Sequence, residues 1–163
     1  MLQRALPQGL ESTPPRLAWQ LRVAYEEWHA DAGLHGEWVR WVLRELLSHA
    51  ALAEGQALPH TLVHHVTEHG VTLRPDLAVL DPSSGAPRLI VRVLPPAALG
   101  SPLGGDRWPA GPLDRAEVLQ RAAGVRLGLV TNGETWTLVD VPRGGPATLE
   151  TCPAGGRAAR GTA

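Results

Sequence analysis

Up to Gly70 the apolar positions of the chain follow a helical period. After Thr13-Pro14-Pro15, apolar residues recur three or four positions apart, at Leu17, Leu21, Ala24, Tyr25 and Trp28. A threonine cap followed by proline in the first turn predicts a helix start. Gly33 and Gly36 interrupt the pattern, and a second helix with a wide apolar face is predicted over residues 37–53. The tryptophans on these faces (Trp28, Trp38 and Trp41) are interpreted as core residues.

After Gly70 the pattern changes from helical to strand periodicity, following a short helical or irregular piece at 59–68. Asn132-Gly133 between two apolar runs is a strong hairpin turn signal. A glycine- and proline-rich loop is predicted over 97–112. The predicted strands are 71–73, 77–80, 88–93, 126–130 and 135–141, and a third helix is predicted over 112–123.

The order of these elements predicts the α/β class, with a mixed central sheet flanked by helices. Strands 77–81 and 88–93 are expected to pair antiparallel. Helix 112–123 is expected to pack on their sheet, and strand 127–130 to join it. One domain is predicted over 13–151, with an N-terminal arm at 1–12 and a disordered tail at 152–163.

The amino-acid composition limits the kinds of function that the protein can have. The chain has 163 residues, six tryptophans, no phenylalanine and a net charge of −1, and all its basic residues are arginines. The charge is uneven: residues 1–70 carry five arginines and eight acids, and residues 71–163 carry ten arginines and eight acids. A single cysteine, Cys152, excludes a disulfide framework and a thiolate zinc site. No signal sequence or long apolar run is recognisable, so a cytoplasmic protein is expected, with no membrane partner.

Three stretches carry a resemblance to a known family: RPDLAVLD (74–81), RLIVRVLPP (88–96) and GVRLGLVTNGETWTLVD (124–140). Together they resemble the PD-(D/E)xK nuclease superfamily, as found at the N-terminus of type I restriction subunits. EHGVTLRPD (68–76), PRLIV (87–91) and GDRW (105–108) are similar to the N-terminal region of phage-defence DNA methyltransferases of the DISARM type or type II fusions. The resemblance covers roughly residues 15–145 and implies a restriction-endonuclease-like fold.

The same resemblance implies a lost catalytic site. An active member needs an acid after the proline, then an acid and a lysine two residues apart on the next strand. Asp76 is present, but Arg92 and Leu94 occupy the other two positions. A guanidinium cannot ligate Mg²⁺, which prefers oxygen ligands, and we expect it to lie beside the Asp76 carboxylate. The interpretation is a nuclease-like domain with neither catalytic residues nor a cofactor.

Candidate contacts with DNA or with a partner subunit are Arg92, Arg107, Trp108 and Arg115, and the nearby Arg121 and Arg126 could also touch phosphates. Trp108 could stack on a base, dock a partner, or simply cover the sheet. An arginine side chain that is simply exposed to solvent is the commoner case.

The sequence also offers two alternative metal sites, each with less support than the loss of the nuclease site. His60, His64, His65 and His69 include two pairs spaced i,i+4, which on a helix could bind zinc; solvated or capping histidines are the commoner alternative. Asp81, Asp106 and Glu68 could be relocated metal ligands, or turn and surface acids.

The leading hypothesis is a catalytically inactive, nuclease-like accessory domain of a DNA methyltransferase or phage-defence assembly. It would contact the DNA backbone weakly, or a partner subunit of a restriction or defence complex. Neither a glycine-rich cofactor loop nor Asn-Pro-Pro-Tyr occurs in the chain, so no methyltransferase segment is expected. The alternatives are a divergent Mg²⁺-dependent endonuclease that uses Asp76, and a purely structural interaction domain.

Overall fold

The computed structural model describes residues 14–46, 51–96 and 108–154. These residues belong to two compact units, one reaching to Val42 and the other starting at Leu43. The predicted arm at 1–12 and the predicted helix cap Thr13 lie outside the described residues.

The first unit is helical and carries an aromatic cluster. Helix α1 spans Pro15–Ala30, a 3-10 turn spans Ala32–Leu34, and helix α2 spans His35–Leu46, beginning in this unit. Trp28 stacks on Trp38 with ring centroids 5.9 Å apart, and Tyr25 lies edge-on 5.8 Å from each. Trp28 and Trp38 are buried, so the predicted helical packing of these tryptophans is confirmed.

The second unit contains a six-stranded sheet in the order β1-β4-β5-β6-β7-β8 and a separate two-stranded sheet of β2 and β3. All neighbours pair antiparallel except β5 and β6, which are parallel. The strands are β1 Ala51–Glu54, β2 His64–Val66, β3 Val71–Leu73, β4 Leu77–Leu80, β5 Pro87–Val93, β6 Leu127–Thr131, β7 Thr135–Asp140 and β8 Thr148–Pro153.

Helix α3, Pro112–Ala123, makes the crossover that the parallel pair β5 and β6 requires. Proline opens the helix, and Gly124 ends it with the positive φ that a left-handed cap needs. Leu119 of α3 packs in one buried cluster with Ala78 of β4 and Ile90 of β5. The α/β class, the mixed sheet, the antiparallel pairing of β4 with β5 and the packing of this helix on the sheet are confirmed.

The predicted Asn-Gly hairpin joins β6 to β7. The Asn132 side-chain oxygen accepts the backbone N–H groups of Glu134 and Thr135. Gly133 has φ +87°, a backbone conformation that side chains other than glycine rarely adopt. The turn therefore follows from local sequence chemistry, as predicted.

Residues 51–54 correct one prediction: they form strand β1 instead of the end of a helix. Alanine, leucine and glutamate favour helices, but Ala53 is buried in the core and pairs with Ala78 of β4. Tertiary pairing outweighs weak local propensity here. Likewise, the predicted irregular piece contains a 3-10 turn, His60–Leu62, followed by strand β2.

Strand β8 was not predicted, and it includes Cys152 and Pro153, which the sequence assigned to the tail. Its side chains are mostly exposed, so it lacks the apolar alternation by which strands are recognised. Pairing along the whole of β7 holds it in the sheet. The residues after Ala154 and those at 97–107 lie outside the described residues.

Within the described ranges, no helix combines the length and the apolar character needed to cross a membrane.

Candidate functional site

A cleft of about 230 Å³ lies in the second unit, where three elements meet. Strand β3 and Arg74 form one wall, and the end of β5 forms another with Arg92 and the following Leu94. The first half of α3 forms the third wall, with Pro112, Arg115 and Leu119. Three arginines thus border the cleft, and one of them, Arg92, stands at a position where the resemblance expects a catalytic acid.

Asp76 and Arg92 are brought together by the antiparallel pairing of β4 and β5. The Asp76 backbone N–H donates to the Val91 carbonyl oxygen at 2.9 Å, which places Asp76 beside Arg92. Arg92 Nη1 lies 3.2 Å from Asp76 Oδ2, and the same oxygen accepts the Val93 N–H at 2.7 Å. The predicted contact between this carboxylate and this guanidinium is confirmed.

Arg92 is held by a second contact and remains partly open to solvent. Its Nη1 donates to the Arg74 carbonyl oxygen at 2.7 Å, and about a third of its side chain is exposed. Arg74 in turn donates to the Gly55 carbonyl oxygen. Arg74 was missed by the sequence reasoning, although it stands two residues before Asp76, in the segment that leads into β4.

Leu94, at the position expected for the lysine, is buried. It packs in an apolar cluster with Ala116, Val130, Val139 and Val141. Its backbone N–H donates to the Thr131 carbonyl oxygen at 2.7 Å, which extends the pairing of β5 with β6. An ammonium at this position would require desolvation, so the apolar surroundings fit the leucine that is present.

Arg115, on helix α3, contacts Trp108, which lies in the segment before the helix. The Arg115 guanidinium lies 4.9 Å from the centroid of the Trp108 ring, and its Nη2 donates to the Trp108 carbonyl oxygen at 2.6 Å. Its Nε donates to the Ala110 carbonyl oxygen at 3.0 Å, and the residue is buried. Arg115 therefore acts first as an anchor for the segment entering α3.

Trp108 packs partly against the core cluster that contains Ile90 and Leu119. Its other neighbour is His69, whose ring stacks on it with centroids 5.1 Å apart and nearly parallel planes. Of the roles considered for this tryptophan, these contacts favour covering the sheet. Arg107, the adjacent candidate, lies outside the described residues.

The helical spacing proposed for the histidines is wrong. His60 lies in a 3-10 turn, His64 and His65 lie on strand β2, and His69 follows that strand. Consecutive strand residues point to opposite faces, and His65 Nδ1 contacts Thr72 Oγ1 at 3.0 Å. Over residues 14–46, 51–96 and 108–154, no group of three or more His, Cys, Asp or Glu side chains could hold a metal ion.

Asp81 stabilises the turn that follows β4. Its Oδ1 accepts the backbone N–H groups of Ser83 and Ser84 and the Ser83 hydroxyl, and its other oxygen pairs with Arg88. The Ser83 hydroxyl, followed by the two N–H groups, holds the pKa of this carboxyl well below its usual range. These bonds occupy the carboxylate, so Asp81 is a turn acid; Glu68 is exposed, and Asp106 lies outside the described residues.

Arg121 and Arg126 line a second and larger cavity, at the other end of α3. Arg121 pairs with Glu117 one turn earlier, and Arg126 makes two bonds to Asp140. Their neighbours Gln120 and Arg143 also line this cavity and were not singled out by sequence reasoning. Neither residue stands in a motif that would have marked it.

Comparison of the chain with protein-family models, with curated proteins and with solved structures gives no match.

Proposed function

We propose that this chain is a nuclease-like module with a degenerate metal site, which contacts the DNA backbone within a DNA methyltransferase or phage-defence assembly. The observation that carries the proposal is the Asp76–Arg92 pair. It occupies the place where the acids of a PD-(D/E)xK nuclease would converge on a metal ion. A guanidinium in that place repels a cation and attracts a phosphate.

The surroundings of the pair support the assignment. The apposed strands β4 and β5, the crossover helix and the Asn-Gly hairpin occur in the order that the family resemblance requires. Leu94, in place of the lysine, is enclosed by apolar side chains. A restriction-endonuclease-like fold that has lost catalysis accounts for all of these features together.

The chemistry of the cleft favours phosphate contact over base reading. Arg92 and Arg74 are the partly exposed cations at its border, and guanidinium groups bind phosphate oxygens without regard to base sequence. Few phosphates can be neutralised by two such groups. Binding by this domain alone is therefore expected to be weak, with a dissociation constant in the range of about 10⁻⁴ to 10⁻⁶ M that is typical of non-specific contacts.

The first experiment measures duplex DNA binding by fluorescence anisotropy between about 50 and about 200 mM salt. Arg92→Ala is expected to weaken binding equally for unrelated sequences and to reduce the salt slope by about 0.9, the share of one phosphate contact. Arg92→Lys keeps the charge and should retain part of the affinity. The matched control is Arg22→Ala, which removes one exposed arginine from α1.

Two results would reject this proposal. If the chain cleaves a plasmid with Mg²⁺ or Mn²⁺ and Asp76→Ala abolishes the cleavage, the domain is a divergent endonuclease. If it shows no DNA affinity at low salt but captures another subunit of its assembly, it is an interaction domain.

A further inference from the structure

The largest cavity described above, about 600 Å³ in volume, lies in the second unit where the carboxyl end of α3 meets the start of β6 and the end of β7. Its volume falls within the range of about 300 to 1,000 Å³ usual for small-molecule sites. Nothing in the proposed DNA contact uses this cavity.

Among the described residues that line the cavity, three are arginines and none is acidic. Arg126 is held by Asp140 through two bonds, Nε to Oδ1 at 2.6 Å and Nη2 to Oδ2 at 2.8 Å. The hydrogen bonds that Arg126 donates to the Asp140 carboxylate, and then the negative charge of that group, raise the pKa of the Arg126 guanidinium. Arg121 is held by Glu117 and also donates to the Gly145 carbonyl oxygen at 3.0 Å.

Arg143 differs from these two. It is exposed on the turn between β7 and β8, and none of the described residues forms a hydrogen bond or ion pair with it. Gly144 has φ +71°, and the Gly145 N–H bonds to the Pro142 carbonyl oxygen at 3.2 Å, which closes the turn. Arg143 is the second residue of this turn and also borders the cavity.

The other side chains that line the cavity are apolar, except for that of Gln120, which is held by hydrogen bonds. Half-buried Pro142 contributes hydrocarbon surface, and Val125 and Val141, which are buried, contribute only a small part of theirs. Gln120 Nε2 donates to the carbonyl oxygens of Arg126 and Val139, so this amide is locked in one orientation. The cavity thus offers guanidinium groups beside an apolar wall, which suits a ligand with a charged group on a flat, weakly polar body.

We propose that this cavity binds a nucleoside monophosphate. The phosphate would lie against the arginines, which match its oxygens in geometry and charge. The base would lie on the apolar wall. The helix end alone would disfavour an anion, because the last carbonyl groups carry partial negative charge. The net positive charge that remains after two of the three arginines are paired outweighs it.

The net charge at the cavity determines how tightly we expect it to bind the monophosphate. Glu117 and Asp140 each offset one arginine, which leaves a net charge of about one guanidinium at the cavity. Affinity near a millimolar dissociation constant is therefore expected for adenosine 5′-monophosphate. Adenosine and inorganic phosphate, which each supply only half of the contacts, should bind more weakly than this ligand.

The test is isothermal titration calorimetry of the full chain with adenosine 5′-monophosphate, adenosine and inorganic phosphate. Arg143→Ala should weaken binding of the monophosphate by about tenfold, the loss of one charge-assisted contact, and Arg143→Lys should restore part of it. Arg22→Ala serves as the control for charge. Because Arg143 is exposed and has no described partner, this substitution is not expected to disturb folding.

Three results overturn the assignment: no binding of the monophosphate, equal binding by wild type and Arg143→Ala, or equal affinity for the monophosphate and either of its halves. Arg92→Ala separates this site from the DNA cleft. It should weaken DNA binding and leave the monophosphate affinity unchanged, and Arg143→Ala should do the reverse. Failure of one proposal is thus distinguishable from failure of the other.

Discussion

The two ends of helix α3 use the same side chain in different ways. At the amino end, the cleft is bordered by Arg74, Arg92 and Arg115. Their guanidinium groups donate to backbone carbonyl oxygens, and Arg92 also contacts a carboxylate, that of Asp76. At the carboxyl end, two of the three arginines pair with carboxylates.

This difference shows that the partner of an arginine, and not its presence, decides its role. A buried guanidinium bonded to carbonyl oxygens is part of the scaffold, because its removal leaves acceptors unsatisfied. An exposed one paired with a carboxylate contributes little to stability. Arg143, which has no described partner, is the group most available to a ligand.

The largest expected effect comes from the helix that both sites share. Leu119 is 1% exposed and packs on the sheet in the core cluster. Leu119→Ala should lower the free energy of unfolding by about 2 to 5 kcal/mol, because it leaves a cavity in a packed interior. Urea denaturation measures this change. The control Leu149→Ala, on the exposed side of β8, should change it by less than about 0.5 kcal/mol; similar losses for both would contradict the assigned core.

A pair of arginine substitutions tests the comparison directly. Arg115→Ala removes a buried guanidinium from two carbonyl oxygens and from the Trp108 ring. It should cost about 1 to 3 kcal/mol of unfolding free energy. Arg143→Ala should change stability by less than about 0.5 kcal/mol. If the two variants unfolded at the same denaturant concentration, the distinction between scaffold and available arginine would fail.

The ion pair of Arg126 and Asp140, near the carboxyl end of α3, predicts that the stability of the protein depends on pH. The Arg126 hydrogen bond, and then its charge, lowers the pKa of the Asp140 carboxyl in the folded protein. A lowered pKa means that the stabilising contribution is complete above the unfolded value of about 3.9 and is lost as pH falls through the folded value. The melting-temperature advantage of wild type over Asp140→Asn should therefore shrink below about pH 4. An advantage that stays constant with pH would contradict this ionisation.

The smallest expected effect is that of Mg²⁺ on the cleft. With Arg92 beside Asp76, we expect MgCl₂ to leave the melting temperature of the wild type unchanged, since a ligand that does not bind the native state cannot stabilise it. Arg92→Asp would place two carboxylates together, and Mg²⁺ should then raise the melting temperature. Asp76→Asn in the same background is the control and should remove the rise. Stabilisation of the wild type itself would show that the metal site is intact.

The sequence indicated elements whose signals are local. Helix α3 was predicted with the bounds observed, because proline opens it, glycine ends it and its apolar residues have the helical period. The Asp76–Arg92 contact was also predicted, from the positions at which the nuclease resemblance expects metal-binding acids. The short turn between β4 and β5 leaves little choice of register when these strands pair.

The sequence could not predict which arginine side chains are free to contact a ligand. Arg115 was taken as a candidate phosphate contact, but it is buried by the segment from Trp108 to Ala110. Arg143 was not predicted as a contact residue because it stands in a turn without a motif. The burial of a side chain depends on neighbours distant in sequence, which periodicity does not report.

The sequence by itself therefore determined the α/β class, helix α3 and the Asn-Gly hairpin. Tertiary structure alone decided that residues 51–54 join the sheet as β1 and that β8 closes its other edge. It also decided that arginines from separate segments assemble at opposite ends of one helix, Arg74, Arg92 and Arg115 at one end and Arg121, Arg126 and Arg143 at the other. The physical reason is that helical period and turn chemistry are encoded in neighbouring residues. Edge pairing and cavity lining arise from contacts between segments that no local pattern connects.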